Sequence, residues 1–329
     1  MDPHRFKQIT GQYAKLRIAV VGDYSCDRYL EIDPDKKETS IETGLPVRNV
    51  TRVRAQPGAS GTVLDNLAAL GVGELWPVGF CGCDGEGFEL YRALEQTPGV
   101  QMNFFFKNEE QRTFTYCKPL LLHPDQPPEE LNRLDSKNWH PTPLTLQHQL
   151  ANAVRSLAKE VDAIIVLDQV DAPETGVVTR SLLEAVDEVR NSCLTIGDSR
   201  RGLKDWPAIV YKMNAEELAR LTGAATEPSK ATSELARRTG QPVFVSLSEN
   251  GIVGADASGI VKHRPALPVS GEIDIVGAGD AVMANLTAAL AADAKLDEAL
   301  EIANAAASVV VHKLGTTGTA TVEEIQTKV

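Results

Sequence analysis

Asp274-Ile-Val-Gly-Ala-Gly-Asp280 is a glycine-rich turn, and the small and apolar residues 281–290 that follow it are typical of a helix. Gly277 and Gly279 allow the backbone to turn sharply and bring its N–H groups close to a ligand. The helix directs its positive end and its unpaired N–H groups to the same point, which suits an anion such as a phosphoryl group. The turn therefore predicts an anion site at the start of this helix.

Asp280, the last residue of the turn, places a carboxylate where it would repel a bound phosphate. That position is useful if the carboxylate takes a proton from a hydroxyl that attacks phosphorus, with metal ions offsetting the charge. The alternative is an ordinary acidic residue in the first turn of a helix, which the helix dipole stabilises by about 0.3–1 kcal/mol. The turn alone leaves both interpretations open.

This motif resembles the signature of the ribokinase-type (PfkB) carbohydrate kinases. In that family the last aspartate, here Asp280, is the catalytic base. The resemblance implies that the turn before it forms an anion hole from Gly277, Ala278 and Gly279. Asp274, which opens the motif, is a further candidate, as a metal ligand. The two residues after it are isoleucine and valine where the family has a threonine-containing pair, so no hydroxyl contact is expected there.

Composition narrows the function classes. The chain has 329 residues, of which 43% are apolar and 24% charged, as in ordinary soluble globular proteins. Its net charge of −12 supplies no basic excess for nucleic acid or an anionic membrane. No apolar run reaches the ~20 residues that a membrane span needs, and the amino terminus lacks the apolar core of a secretory signal. We therefore expect neither a nucleic-acid nor a membrane partner.

The five cysteines form neither an even set nor a CxxC pair, and the six histidines lack metal-binding spacing. We interpret the cysteines as free thiols of a cytoplasmic protein.

Strand-length apolar runs alternate with helix-length amphipathic segments, which predicts a mainly parallel sheet covered by helices on both faces. The predicted strands are Arg17–Gly22, Glu74–Phe80, Asp162–Leu167, Cys193–Gly197, Ala208–Lys212 and Pro242–Leu247. The predicted helices are Ser60–Leu70, Glu86–Gln96, Leu144–Lys159, Pro173–Arg190, Ala215–Leu221, Lys230–Thr239, Gly279–Ala292 and Asp297–Lys313. We find no repeat or linker, so we expect a single domain over residues 1–329.

Residues 28–56 and 103–122 alternate like β-strands and have no helices within them. We expect them to pair as a small antiparallel sheet beside the main domain. Such a sheet, discontinuous in sequence, could serve as a lid or as a dimerisation surface. The alternative is a pair of surface hairpins.

Two aspartates follow the first predicted strand. In open α/β sheets ligands gather at the carboxyl ends of strands, so Asp23 is placed to accept hydrogen bonds from sugar hydroxyls. The alternative for Asp23 is a turn or capping residue. The segment Gly22–Tyr29, which also contains Asp27, is similar to the opening of the same family. The similarity is greatest to the kinase half of the bifunctional heptose-phosphate kinase/adenylyltransferases.

The segment Pro57–Gly71 resembles the family's first signature, which holds the sugar at the start of a helix. Two positions depart from that signature: an alanine replaces its second glycine, and a threonine stands where a sugar-binding asparagine is expected. The candidate substrate residues here are Gly58, Ala59, Thr62 and Asn66.

Asn214 and Glu217 match the family's Asn-x-x-Glu motif, which organises Mg²⁺ and phosphates. Amide and carboxylate oxygens are hard ligands of the kind that Mg²⁺ prefers, usually through water. The alternative is a helix capping box, which uses the same two residue types.

Three further segments resemble the family's phosphate and nucleotide sites. Ser246 and Gly251 match a strand–Thr-x-Gly-x-x-Gly nucleotide loop in which Ser248 replaces the middle glycine. The stretch 303–316 resembles the helix and loop that line the adenine pocket, which gives Asn304 and Gly315 as candidates. Arg200 lies where the similar kinases carry Asp-Pro-Lys, and it could meet a phosphate bidentately. A solvated surface arginine is the alternative.

The resemblance spans Ile18 to about Ile325 and implies a ribokinase-like three-layer α/β/α sandwich with a small discontinuous β-lid. The implied reaction is ATP-dependent phosphorylation of a hydroxyl on a sugar or sugar phosphate, heptose phosphate being one candidate. Mg²⁺ and a monovalent cation are the implied cofactors, and a homodimer through the lid is the implied assembly. Because the sequence ends at Val329, we expect no adenylyltransferase half.

Two other classes stay open. A member of the same fold could bind a sugar or nucleotide without catalysis, as a regulator. A dinucleotide-dependent oxidoreductase would share the α/β pattern, but no G-x-G-x-x-G follows the first strand.

Overall fold

A computed structural model describes residues 1–223, 227–315 and 317–329. Its strands are β1 (Arg17–Gly22), β2 (Tyr24–Thr39), β3 (Pro46–Ala59), β4 (Glu74–Gly82), β5 (Phe105–Asn108), β6 (Phe114–Leu121), β7 (Glu129–Glu130), β8 (Ala163–Asp168), β9 (Leu194–Ser199), β10 (Val210–Asn214), β11 (Val243–Ser246), β12 (Ile252–Ala255) and β13 (Val261–Arg264). Its α-helices are α1 (Pro3–Thr10), α2 (Ser60–Ala69), α3 (Gly85–Gln96), α4 (Leu144–Leu157), α5 (Arg180–Val189), α6 (Ala215–Thr222), α7 (Pro228–Thr239), α8 (Ala278–Ala291), α9 (Leu296–Val310) and α10 (Val322–Gln326).

The main sheet contains the six predicted strands. Within the described residues it has nine strands in the order β13-β12-β11-β10-β9-β8-β1-β4-β5. Neighbours are parallel from β5 to β11, and the hairpin of β12 and β13 adds two antiparallel strands at one edge. Because the carboxyl ends of parallel strands meet at one edge of the sheet, the residues that follow β1, β8, β9, β10 and β11 are brought together there.

The sheet lies between two layers of helices. Along β1, Ile18 and Val20 belong to one apolar core, whereas Ala19 and Val21 belong to the other. Successive strand residues point to opposite faces, so a strand buried on both faces is apolar throughout. Helices α2, α8 and α9 contribute to the first core, and α4, α5 and α7 to the second. This is the predicted three-layer sandwich.

A second, four-stranded sheet has the order β3-β2-β6-β7. Residues 28–56 form most of β2 and β3, as predicted, and these two strands are antiparallel. The prediction for 103–122 was only partly right. Strand β6 joins the small sheet but runs parallel to β2, whereas β5 pairs with β4 in the main sheet. The small sheet is therefore mixed, because β6 reaches it by a crossover from the main sheet.

Helix α5 begins seven residues later than the predicted start at Pro173. Thr179 is its N-cap, with the side-chain oxygen accepting a hydrogen bond from the N–H of Leu182 at 3.4 Å. Glu174 has φ +62°, which is incompatible with a right-handed helix. The apolar periodicity of 173–179 reflects burial of a loop.

Sequence analysis missed α1, α10 and the β12–β13 hairpin. Among the helices of the described segments, none is both long and apolar enough to cross a lipid bilayer.

Candidate active site

The glycine-rich turn leads into α8 as the sequence predicts. Gly277 is the N-cap residue with φ +85°, a backbone conformation that glycine adopts without strain. The N–H of Ala278 donates to the carbonyl of Ile275 at 3.2 Å, so the turn itself uses this amide. The N–H groups of Gly277, Gly279 and Asp280 have no acceptor among the described residues. Within the described residues, the amides free to bind an anion are those of Gly277, Gly279 and Asp280, whereas the Ala278 amide, which the sequence analysis included, is used inside the turn.

Asp274 stabilises the same turn. Its Oδ1 accepts a hydrogen bond from the N–H of Val276 at 3.0 Å, and its own N–H donates to the carbonyl of Val311 at 2.8 Å. This geometry gives Asp274 a structural task. The described part of the chain has no cluster of three or more His, Cys, Asp or Glu side chains arranged to hold a metal ion.

Asp280 is half-buried in the first turn of α8. Burial raises the pKa of its carboxyl to about 6, with Lys212 opposing the rise and Asp198 adding to it. Arg200 and Asp27 also lie near enough to affect this pKa. The carboxylate is therefore ionised at neutral pH but more basic than an ordinary aspartate.

A buried lysine faces this turn. Lys212 Nζ lies 2.6 Å from Asp198 Oδ2, and a Cβ added to Gly279 would lie 3.5 Å from that same nitrogen. Burial alone would lower the pKa of Lys212, but the charge and hydrogen bond of Asp198, together with the charges of Asp280 and Glu217, outweigh it, and the pKa is raised. The ammonium therefore stays charged beside the unpaired amides.

A cleft of about 670 Å³ opens on one side of the turn. It brings together most of the predicted nucleotide-binding residues and the amino-terminal end of α8. Its walls are otherwise largely apolar, as in sites for flat ring systems. Lining residues that were predicted from the sequence are Asn214, Ser246, Gly251, Asn304, Ala278 and Gly279. Gly315 is not among the lining residues, and Thr316, the last residue of the stretch predicted to line an adenine pocket, lies outside the described residues.

Asn214 and Glu217 form a reciprocal capping box at the start of α6. Asn214 Oδ1 accepts from the N–H of Glu217 at 2.9 Å, and Glu217 Oε2 accepts from the N–H of Asn214 at 2.8 Å. The structural interpretation of this motif is therefore confirmed. Glu217 is only 9% exposed, and burial, with Asp198 adding, raises its pKa. Its second oxygen makes no hydrogen bond within the described chain, so the pair still fits a hydrated cation.

Asp27 lies on β2, outside the lining of the cleft, and is 8% exposed. Ser25 Oγ donates to its Oδ1 at 3.0 Å. Burial raises its pKa, while this hydrogen bond and the charges of Lys118, Arg133 and Arg200 oppose the rise. The Asp27 carboxylate therefore lies near three cations, and its charge also acts on Asp280.

Asp23 does not face a cleft. Its Oδ1 accepts from the N–H of Val177 at 2.7 Å and its Oδ2 from the N–H of Gln169 at 2.8 Å, and the residue is 2% exposed. The carboxylate therefore anchors the 168–177 segment to the end of β1. Its expected contact with a sugar hydroxyl stays a prediction.

Thr62 and Asn66 are also buried, within α2. Asn66 Nδ2 donates to the carbonyl of Thr62 at 2.9 Å and to that of Gly318 at 3.4 Å. Asn66 thus ties α2 to the loop after α9. The expected substrate contact at Thr62 and Asn66 stays a prediction. Gly58, at the end of β3, lies against Asp27, and Ala59 follows it opposite Tyr24.

Three cations surround Asp27. Arg133 lies over the ring of Tyr116, with its Cζ 4.8 Å from the ring centroid, and Arg200 Nη1 is 3.5 Å from the hydroxyl of the same tyrosine. Lys118 comes from the same strand as Tyr116. Arg133 forms a salt bridge with Asp135, but among the described side chains neither Lys118 nor Arg200 forms one. These two positive charges are available to a ligand.

A family model described as "pfkB family carbohydrate kinase" matches residues 16–323. The chain belongs to this family.

Curated relatives of this pfkB family member are bifunctional proteins. The HldE protein of Rhodospirillum rubrum is 30% identical over 96% of this chain, and the chain covers 63% of it. The HldE protein of Shewanella baltica is 29% identical over 95% of the chain and is covered over 64%. The chain therefore spans just under two thirds of the length of these relatives.

Solved structures share the fold at low sequence identity. A phosphofructokinase from Staphylococcus aureus, described as putative by those who solved it, has a TM-score of 0.72 at 18% identity, covering 95% of this chain and 97% of its own. An Arabidopsis thaliana ribokinase solved with ribose and ATP has a TM-score of 0.66 at 19% identity, covering 95% and 98%. The Escherichia coli phosphofructokinase-2, solved with potassium, has a TM-score of 0.68 at 19% identity, also covering 95% and 98%. The predicted ribokinase-like fold is confirmed.

Sequence reasoning missed Lys212 as a site residue. A lysine within the otherwise apolar strand Val210–Met213, directly before Asn214, was the available signal, because a charge in a buried strand needs a partner. It also missed the cluster of Tyr116, Lys118 and Arg133. That cluster depends on the pairing of β6 with β2, and the sequence motifs carry no information about this pairing.

Proposed function

We propose that this chain is an ATP-dependent kinase that phosphorylates a hydroxyl of a sugar or sugar phosphate, with Asp280 as general base. The position of Asp280 carries the proposal. Its half-buried carboxylate belongs to the turn with the unpaired amides, whose Gly279 and Ala278 line the nucleotide-sized cleft, and the charges of Lys212 and Asp27 both act on it. Membership of the pfkB family gives the reaction class.

In this mechanism Asp280 accepts the proton of the acceptor hydroxyl while its oxygen attacks the γ-phosphorus of ATP. The new O–P bond forms, the bond to the bridging oxygen breaks, and ADP leaves. A pKa of about 6 suits the task, because the carboxylate is ionised at neutral pH yet basic enough to take a proton. The free amides of Gly277 and Gly279 and the ammonium of Lys212 stabilise the charge on the transferring group.

We place the adenine and ribose of ATP in the cleft lined by Ser246, Gly251 and Asn304. Asn214 and Glu217 would hold Mg²⁺ through water. When bound, Mg²⁺ offsets the negative charge of the phosphates. The proposal includes a monovalent cation, since a solved neighbour was obtained with potassium. Comparing ADP release in potassium and in tetramethylammonium salts tests that part.

We interpret residues 1–329 as one kinase domain and the small sheet as its lid. Strands β2 and β3 carry Asp27 and Gly58, and β6 carries Lys118, so movement of this sheet would close over the acceptor. Closure would exclude water and limit hydrolysis of ATP.

The unpaired Lys118 and Arg200 favour a phosphorylated acceptor, such as heptose phosphate. The whole chain carries a net charge of −12, yet Lys118, Arg133 and Arg200 all act on the single carboxylate of Asp27. The guanidinium of Arg200 has the geometry to bind a phosphate bidentately.

A panel of sugars paired with their phosphates, assayed for ADP release, tests the proposed function. We expect turnover with a sugar phosphate and weaker turnover with its unphosphorylated partner. Arg200→Met should raise the KM of the phosphorylated acceptor at least 10-fold and change the KM of ATP little. Nucleotide binding without turnover on any acceptor would instead support a regulatory member of the fold.

We also infer a homodimer through the lid and a cytoplasmic location. Val50 and Val53 of β3, and Ile41 and Leu45 of the loop that joins β2 to β3, are exposed apolar residues, which suits a contact between two copies. Val53→Asp should shift the sedimentation coefficient from dimer to monomer. All five cysteines are free, as expected in a reducing compartment.

A further inference from the structure

A buried ion pair connects two neighbouring strands of the main sheet directly beneath the glycine-rich turn. Tyr211 of β10 pairs with Gly197 of β9, so the next residues, Lys212 and Asp198, lie side by side. Their side chains are 8% and 11% exposed, and the N–O distance is 2.6 Å. Such a pair adds little stability, because removing two charges from water costs about as much as their attraction returns. Its location offers a better reason for its presence.

Besides Asp198, two carboxylates act on the ammonium of Lys212: those of Asp280 and Glu217. It faces the first turn of α8 at Gly279, and its charge acts on Asp280. Asp198 acts on Asp280 with the opposite sign. The charge of Glu217 also acts on Lys212. Lys212 is therefore held by Asp198 at a place where Asp280 could otherwise capture it.

We propose that Asp198 is a positioning residue for phosphoryl transfer, because it fixes the Lys212 ammonium at the anion-binding turn and keeps it from pairing with Asp280. This inference rests on the proposed function. Without the Asp198 charge, the ammonium would pair with Asp280. The base would then be less able to accept a proton, and the transferring phosphoryl group would lose part of its cationic partner.

A double-mutant cycle tests this role, because residues that act through one another are not additive. The four proteins are the wild type, Asp198→Asn, Lys212→Met and the double variant, each assayed for kcat at saturating ATP and acceptor. We expect Asp198→Asn to lower kcat at least 10-fold and to leave the affinity for ADP unchanged. In the Lys212→Met background, the same Asp198→Asn substitution should leave kcat unchanged or raise it, since no ammonium remains to be misplaced.

The matched control is Asp168→Asn, which breaks the neighbouring buried ion pair with Arg201, whose N–O distance is 2.9 Å. Its effect on kcat should be the same factor with and without Lys212→Met. Asp198→Glu, which keeps the charge, should recover most of the kcat lost in Asp198→Asn. If Lys212→Met does not fold, Lys212→Gln takes its place in the cycle.

Equal losses of kcat from Asp198→Asn in both backgrounds would overturn the inference, as would wild-type kcat in Asp198→Asn alone. Both results can be distinguished from failure of the proposed function. If the proposed function were wrong, the wild type would phosphorylate no acceptor, or Asp280→Asn would keep the full rate.

Discussion

The carboxylate of Asp27 fills the space that a side chain on Gly58 would need. A Cβ added to Gly58 would collide with Asp27 Oδ1 and with Ser25 Oγ, the donor to that carboxylate. We expect Gly58→Ala to displace Asp27 and raise the KM of the acceptor at least 10-fold. The KM of ATP should change less than 2-fold, because neither Gly58 nor Asp27 lines the cleft in which we place the nucleotide.

Gly85→Ala is the matched control for this prediction. A Cβ added to Gly85 would contact nothing within 4 Å, and the residue begins α3. Both KM values should stay at the wild-type level in this variant. An unchanged acceptor KM in Gly58→Ala would mean that Asp27 is not positioned for the acceptor.

Most of the fold follows from the sequence because its signals are local. The strands β1, β4, β8, β9, β10 and β11 are short apolar runs, and the helices α2, α3, α4, α6, α7, α8 and α9 each have their own hydrophobic pattern. The partner of β6 is set by a contact distant in sequence, and the alternation of Phe114–Leu121 fits a parallel or an antiparallel neighbour equally well. The mixed small sheet was unpredictable for that reason.

Asp280→Asn should lower kcat by about 10²–10⁴-fold, the usual share of a general base, and leave ADP affinity within 2-fold. Glu323→Gln, which removes a first-turn carboxylate from α10, is the control and should keep the wild-type kcat. If Asp280 only favoured the helix dipole, both substitutions would lower thermal stability slightly and leave kcat unchanged.

The pH profile of kcat/KM should show an acidic limb set by Asp280. Its carboxyl has a pKa raised to about 6, so the ionised base is lost as the pH falls through 6. We expect kcat/KM to fall about tenfold per pH unit below about 5.5. A limb near pH 4, the ordinary range of an aspartate, would contradict this environment for the base.

Folded-state burial of the Asp280 charge also predicts a stability effect. Because the folded pKa lies above the unfolded value, ionised Asp280 destabilises the fold above pH 6, and this cost disappears below about pH 4. Asp280→Asn should therefore raise the free energy of unfolding by about 1–3 kcal/mol at pH 8. The gain should shrink at pH 4.5, as measured by denaturant unfolding at both pH values.

We expect substitutions of Asp23 and Asp27 to have different effects, one on stability and the other on the acceptor KM. Asp23→Ala leaves the N–H groups of Gln169 and Val177 without their acceptor, so we expect a loss of about 1–3 kcal/mol in the free energy of unfolding. Asp27→Ala should instead raise the acceptor KM and affect stability less. A stable Asp23→Ala variant with a high acceptor KM would restore Asp23 as a substrate ligand.

This contrast shows why part of the site could not be assigned from the sequence. Motif spacing places Asp23, Thr62 and Asn66 at the correct edge of the sheet, but it does not say which oxygen meets a backbone N–H. The capping box of Asn214 and Glu217 has the same limit, since structural and cation-binding uses need the same two residue types. Hydrogen-bond partners distant in sequence decide these roles.

Ala59, which follows Gly58 at the end of β3, carries backbone strain. Its φ of +53° and ψ of −118° lie outside the regions open to a residue with a Cβ, and the family has a glycine at this position. Ala59→Gly should relieve the strain and raise the free energy of unfolding by about 1–2 kcal/mol, measured by denaturant unfolding. Ala68→Gly, within the regular part of α2, should lower it by about 0.5–1 kcal/mol, because there the glycine only adds entropy to the unfolded chain.

If both substitutions lower stability, Ala59 carries no strain that a glycine would relieve. If Ala59→Gly is more stable but has a higher acceptor KM, the strained alanine holds Gly58 and Asp27 in place at a cost in stability.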